Sequence, residues 1–109
     1  MDDATYLETL RDLRERVEAR SLAIRASLAG DTESLDAFQL ARADLDAMIN
    51  ELETRELQPI DAQLSALGPE LERGVIELEQ ELEALDDTVR TVESFTAVVA
   101  LAARIAAAA

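Results

Sequence analysis

The feature that most constrains this chain is an apolar repeat with a period of 3.5 residues. In the C-terminal third the repeat consists of Leu71, Val75, Leu78, Leu82, Leu85, Val89, Val92, Thr96, Val99, Ala103 and Ala106. A repeat held over five heptads keeps one helix face against a neighbouring helix and is typical of coiled-coil packing. Shorter stretches of the same repeat run from Tyr6 to Ser27 and from Phe38 to Leu52. The sequence therefore predicts an all-α chain.

Glycine and proline mark the expected helix ends. Gly30 suits the end of a first helix, and Asp31 or Thr32 can cap the start of a second. Gly68 suits a second helix end, and Pro69 suits the first position of the helix that follows. These signals predict two breaks in the chain, one after each of these glycines.

The two breaks predict three helices, near residues 3–29, 32–67 and 69–107, in a single helical domain over residues 1–109. Pro59 lacks a backbone donor and crowds the preceding turn, so we expect a kink near it in the second helix. A break at Pro59, which would give four helices, is the less favoured alternative. The predicted fold is a coiled-coil-like three-helix up-down-up bundle in which the second and third helices are long.

The composition excludes most catalytic chemistry. The chain has 24 acidic and 10 basic residues, a net charge of −14, and neither cysteine nor histidine. Without those two residue types there is no disulfide, no thiolate, no Ser-His dyad and no ordinary zinc site. We therefore expect a protein that is not an enzyme, with no catalytic residue, cofactor, metal or small-molecule substrate.

The charge also limits the partners that the chain can bind. A net charge of −14 repels nucleic-acid backbones and anionic membrane surfaces. We therefore expect no direct nucleic-acid contact, and a membrane is the least favoured partner. The chain starts Met1-Asp2-Asp3, whereas a secretory signal needs a basic start, and cysteine is absent, so we expect a cytoplasmic protein.

The charges are unevenly distributed along the predicted helices. After Asp3 the first helix carries five arginines against four acids, whereas residues 31–67 and 69–95 each carry nine acids against two arginines. The acids that flank the apolar face of the third helix are Glu72, Glu79, Asp86 and Glu93. Two copies of that helix would oppose like charges, so the first helix is its better neighbour. Arg20 lies on the apolar face of the first helix, where it either fixes the pairing register or extends to a carboxylate at the rim.

The predicted helix lengths leave part of the bundle uncovered. At 1.5 Å per residue the first helix spans about 40 Å, and the other two span roughly 54 and 58 Å. Residues near 57–78 would then project as a two-helix arm without a third wall. Its apolar residues Leu64, Leu67, Leu71 and Val75, the arm residues, are candidates for binding a partner.

The C-terminal residues 95–109 contain a single charge, Arg104, and a second apolar row. This row consists of Phe95, Val98, Leu101 and Ile105, the tail residues. A helix that is apolar on two faces needs two neighbours. Three alternatives stay open: burial of the tail within the bundle, self-association through its alanine-rich face, and docking to a different protein or a membrane. In the first alternative the tail packs on Ile24, Leu28, Leu35 and Phe38.

These features favour a non-enzymatic helical module for protein–protein interaction. The leading hypothesis is a structural or adaptor subunit that associates with itself as a homo-oligomer. The alternative is an acidic chaperone, or an antagonist of the immunity or nucleic-acid-mimic type, that binds a basic or aggregation-prone client protein. The run of acids from Glu77 to Asp87 is the feature that favours this alternative.

Overall fold

The structure is a computed structural model that describes residues 2–54 and 60–107, without the side chain of Asp61. The helices are α1 (Asp3–Ser27), α2 (Thr32–Thr54), α3 (Asp61–Ala84) and α4 (Thr88–Ala106). The described residues contain no strand, so the prediction of an all-helical chain is confirmed.

The prediction of a three-helix bundle is wrong, because the described residues form four helices. Gly68 and Pro69, taken as a helix boundary, lie inside α3. The actual break lies at residues 85–87, inside the predicted third helix over residues 69–107. Pro59 and the kink predicted there lie outside the described residues.

Burial explains why α3 continues through Pro69. Leu64, Leu71 and Leu78 are buried on one continuous face of the helix. Burying each of these leucine side chains contributes about 1.5–3 kcal/mol. The sum over the three leucines exceeds the cost of about 3 kcal/mol for a proline inside a helix. Pro69 has no N–H group to donate to the carbonyl oxygen of Ser65, four residues earlier. Ser65 is exposed, so a water molecule can donate to that oxygen instead.

The break between α3 and α4 has a defined local cause. Leu85 has left-handed backbone angles, φ 48° and ψ 38°, and its N–H donates to the Glu81 carbonyl as the last bond of α3. Asp87 then starts α4, because its side-chain Oδ1 accepts a hydrogen bond of 3.1 Å from the Arg90 N–H. Asp is a preferred residue at this capping position. The heptad pattern concealed the break, because Leu85 and Val89 both keep the apolar spacing.

Arg20 connects this break to α1. Its Nε donates a hydrogen bond of 2.9 Å to the Leu82 carbonyl oxygen, near the C-terminal end of α3. A cation at this end of a helix is also favoured by the helix dipole. Arg20 therefore binds a backbone carbonyl, and within the described residues it forms no ion pair with a carboxylate at the rim.

The first two helices begin at capped ends. The Asp2 carboxylate accepts a hydrogen bond of 2.8 Å from the Thr5 N–H, and this bond lowers the pKa of Asp2. Gly30 has φ 93°, and Asp31 Oδ1 accepts a 3.1 Å bond from the Ser34 N–H at the start of α2. The predicted break at Gly30 is therefore confirmed, with Asp31 as the capping residue.

Helices α2 and α4 lie side by side and run in the same direction. The Phe38 and Phe95 rings are 5.9 Å apart. Further along both helices, Met48 and Ala102 both contact the hydroxyl group of Tyr6. The Tyr6 oxygen lies 3.9 Å from the Met48 sulfur and donates to the Ala102 carbonyl oxygen at 2.6 Å.

Helices α1 and α3 are parallel neighbours as well. Arg16 pairs with Glu79 at 3.5 Å, and Arg20 meets Leu82 further along both helices. Each of α1 and α4 packs against both α2 and α3. The bundle therefore consists of two antiparallel hairpins, α1–α2 and α3–α4, stacked so that corresponding helices lie parallel and buried side chains from all four form one core.

Tyr6 is the single tyrosine of the chain, and its side chain is fully buried. Burial disfavours the charged phenolate, so it raises the pKa of Tyr6 above the ordinary value of 10.0. The folded chain therefore holds the phenolic proton to a higher pH than the unfolded chain does. The associated stability is fully present below pH 10 and is lost as the pH rises above it.

We predict that alkaline destabilisation of this protein depends on Tyr6. The chain has no lysine or cysteine, so Tyr6 is the only side chain that titrates between about pH 9 and pH 12. Urea unfolding should show the free energy of unfolding falling above pH 10 by as much as about 1.4 kcal/mol per pH unit. The same measurement on Tyr6→Phe should give a flat profile in that range, and an equal fall in both proteins would contradict the prediction.

We also predict that Arg20 stabilises the break. Arg20→Met removes a charged donor from the Leu82 carbonyl, so it should lower the free energy of unfolding by about 1–2 kcal/mol in urea denaturation. Arg73→Met is the control, because Arg73 is exposed in the middle of α3 and its side chain forms no hydrogen bond or ion pair within the described residues. It should change stability by less than about 0.5 kcal/mol. Equal losses in the two variants would show that the hydrogen bond contributes nothing.

Candidate interaction groove between helices α2 and α4

The arm residues lie inside the bundle. Leu64, Leu71 and Val75 are buried, and Leu67 packs against the same core with part of its surface exposed. The prediction of a projecting two-helix arm is therefore wrong, because it depended on the three-helix arrangement. With four helices of similar length, α4 and α1 cover the face of α3 that the prediction left bare.

The tail residues also face the core. Phe95, Val98 and Ile105 are buried, and Leu101 is partly buried against the same cluster. Phe95 meets Phe38 of α2, as the alternative of burial within the bundle expected. The second apolar row of the C-terminal residues therefore packs α4 into the bundle.

The heptad face of α4 lies at the edge of the core instead. Val89, Thr96 and Ala103 are exposed, whereas Val92 and Val99 are buried. Part of the face that continues the apolar repeat of α3 is therefore exposed on α4, beyond the interruption at residues 85–87. Helix α4 thus has two apolar faces, and the second one borders an open groove.

This groove lies between α2 and α4 and has a volume of about 550 Å³. Most of its lining is alanine, valine, leucine and methionine. Its exposed residues on α4 are Thr96, Ala100 and Ala103, and those on α2 include Leu40, Asp44 and Ala47. Small side chains let another backbone approach closely, so the groove can accept the face of a helix.

Leu40 distinguishes the groove from the rest of the surface. Its side chain is 64% exposed and lines the groove. Leu22 and Ile76 are also exposed, on α1 and α3, but neither lines a described pocket. Single exposed leucines are ordinary, whereas one beside an apolar groove forms a continuous apolar surface.

The two walls of the groove differ in charge. Helix α2 carries six acids and one arginine, whereas α4 carries two arginines and one glutamate. Asp44 lies in the groove, and Arg104 is exposed on the outer side of α4. Among the residues that the structure describes, neither Asp44 nor Arg104 has an ion-pair partner.

Of the four acids that the sequence predicts to pair α3 with α1, one forms an ion pair within the described residues. Glu79 pairs with Arg16 of α1 at 3.5 Å. The remaining three, Glu72, Asp86 and Glu93, are exposed and form no ion pair within the described part of the chain. Helix α1 also pairs with α2, where Arg11 lies 2.8 Å from Glu53. The arginines of α1 thus face both of its neighbours.

A second surface, around the α3–α4 break, is acidic. Glu77, Asp86 and Asp87 are exposed there, beside a mostly buried Glu81. Glu81 Oε1 accepts a 3.1 Å hydrogen bond from Ser94 and lies 3.8 Å from Arg90. Within residues 2–54 and 60–107, no three carboxylates are grouped closely enough to hold a metal ion.

No known protein family, curated protein or solved structure matches this chain significantly. Each helix in the described ranges is too short or too polar to cross a bilayer. Sequence reasoning missed Leu40, Asp44 and Ala47, because their heptad spacing places them beside the apolar face of α2 and nothing in the sequence shows that α4 leaves them uncovered.

We predict that the two faces of α4 differ sharply in their contribution to folding. Phe95→Ala empties a core site and should cost about 3–5 kcal/mol in urea unfolding. Thr96→Ala, one residue along and exposed in the groove, should change the free energy by less than about 0.5 kcal/mol. A large loss for Thr96→Ala and a small one for Phe95→Ala would instead place the heptad face in the core.

Proposed function

We propose that this chain is a non-enzymatic helical interaction module that associates with itself through the α2–α4 groove. The observation that supports this proposal is the second apolar face of α4. That face lines the groove beside exposed Leu40, and no other helix of the described chain covers it. Covering it would remove apolar surface from water, which is the main driving force of most protein association.

The area of the α2–α4 face determines how strong the association is expected to be. Helix α4 is 19 residues long, which corresponds to about 28 Å, and a pair of packed helices is roughly 20 Å wide. The face therefore offers on the order of 500 Å² per copy, below the roughly 800 Å² per partner of a standard interface. We accordingly propose a weak, concentration-dependent association rather than an obligate one.

Charge favours a contact through α4 over one through α3. Helix α4 has one more base than acid, whereas α3 has seven acids and one arginine. Two copies that met through α3 would oppose many like charges, which is destabilising. A contact through α4 has less repulsion to overcome than one through α3.

We predict that Leu40→Glu weakens the association. A carboxylate at this position would be buried without a partner, so the dimer dissociation constant should rise at least about tenfold. Sedimentation equilibrium from about 10 µM to 1 mM covers the range expected for a small interface. Leu22→Glu, at an exposed leucine on α1 away from the groove, is the matched control and should leave the dissociation constant unchanged.

A chain that stays monomeric over the whole concentration range would overturn self-association. Binding of a polyarginine peptide to that monomer, lost in high salt, would then favour the acidic-antagonist alternative, because screening weakens exposed ionic contacts. Equal weakening by Leu40→Glu and Leu22→Glu would show that the groove is not the contact surface.

A further inference from the structure

The break at residues 85–87 is short and contains neither glycine nor proline. Leu85 is the only described non-glycine residue with a positive φ, and its Cβ makes the left-handed region unfavourable. Right-handed helical angles at Leu85, Asp86 and Asp87 would join α3 and α4 into one helix over residues 61–106. The local strain at Leu85 therefore favours a continuous helix over the α3–α4 hairpin.

The apolar repeat runs through the break without a change of phase. Its members on either side follow one another at steps of four and three residues: Leu78, Leu82, Leu85, Val89 and Val92. In a continuous helix these side chains lie on one face. In the hairpin Val89 is instead 40% exposed, and Leu85 is only partly buried. The apolar pattern across the break thus favours the same continuous helix.

Two side-chain hydrogen bonds take the place of backbone hydrogen bonds at the break. Arg20 Nε donates to the Leu82 carbonyl oxygen at 2.9 Å, where the Asp86 N–H would donate in a continuous helix. Asp87 Oδ1 accepts a bond of 3.1 Å from the Arg90 N–H, which would otherwise donate to the Asp86 carbonyl. A continuous helix would therefore satisfy the backbone groups that these two side chains satisfy in the hairpin.

Opening the hairpin in one isolated chain would expose its core, because Phe95, Val98 and Ile105 of α4 are buried. A second opened copy presents the same surfaces of α2 and α3. Each α4 can then pack into the other copy and restore the lost contacts, which is domain exchange. A short connection under strain favours such exchange. The exchanged dimer buries the same side chains as two closed monomers and differs from them mainly at the break.

We infer that residues 85–87 are a hinge, and that two copies of this chain can exchange α4 to form a dimer in which α3 and α4 are one continuous helix. Arg20 favours the closed monomer, because it occupies the Leu82 carbonyl. The exchange goes beyond the proposed function, since it uses the buried face of α4 and not the α2–α4 groove. A groove dimer dissociates on dilution, whereas an exchanged dimer persists until α4 leaves its core contacts.

Refolding at high concentration tests the exchange. The chain is unfolded in urea at about 1 mM, refolded in about 0.5 M NaCl and diluted to about 10 µM. The salt screens the acids of the two hinges, which the exchange brings close together. Size-exclusion chromatography with light scattering should then show a dimer that persists after dilution. Leu40→Glu, at the groove, should leave the amount of this dimer unchanged.

Two substitutions at Leu85 form a matched pair, because both remove the same partly buried side chain. Glycine adopts left-handed angles freely and disfavours helix, whereas alanine does the opposite. The ratio of persistent dimer to monomer should therefore be at least about tenfold lower for Leu85→Gly than for Leu85→Ala. Equal ratios, or no persistent dimer from either the original chain or Leu85→Ala, would overturn the exchange while the proposed function stands.

Spin labels show whether the helix is continuous in the persistent dimer. The chain has no cysteine, so Ser65→Cys with Arg104→Cys places one pair of labels at two exposed positions. Labelled chain is mixed with excess unlabelled chain before refolding, so that the distance within one chain is measured. It should be about 58 Å in a continuous helix and within roughly 20 Å in the hairpin. A persistent dimer that keeps the short distance would overturn the inference.

Discussion

The termination of α3 at Leu85 is the constraint on which the rest of the structure depends. Leucine in the left-handed region costs about 1–2 kcal/mol, so the surroundings must compensate for it. The compensation comes from the partly buried Leu85 side chain, from Asp87 at the start of α4, and from Arg20, which binds the Leu82 carbonyl. Helix α1 thus helps to decide where α3 ends, although more than sixty residues separate Arg20 from that site.

The two faces of α4 acquire different roles because of this break. The interruption places Phe95 against Phe38 and Val98 against Gly74, where a Cβ added to the glycine would lie 3.2 Å from Val98 Cγ2. The heptad positions Thr96 and Ala103 stay exposed and line the α4 wall of the groove, whereas Val92 and Val99 are buried.

The charged residues are distributed differently on α4 and on the other three helices. Arginines of α1 neutralise acids of α2 and α3 within the chain, as the Arg11–Glu53 and Arg16–Glu79 pairs show. Helix α4, in contrast, has few charges, and Arg104 has no ion-pair partner among the described residues. An acidic chain that associates with itself must limit the repulsion between its copies. The residues of α4 that line the groove are uncharged, so the proposed contact adds little repulsion on that wall.

The sequence by itself determined that the chain is helical, that it breaks at Gly30, and that residues 95–109 are apolar on two sides. Those properties follow from local periodicity and capping, which act within a few residues. Tertiary structure alone decided that α3 passes through Gly68 and Pro69, that it stops at Leu85, and which face of α4 is buried. Burial of Leu64, Leu71 and Leu78 outweighs a proline, and contacts from α1 stabilise a break that heptad spacing conceals. These effects join residues distant in the sequence, so no local pattern could reveal them.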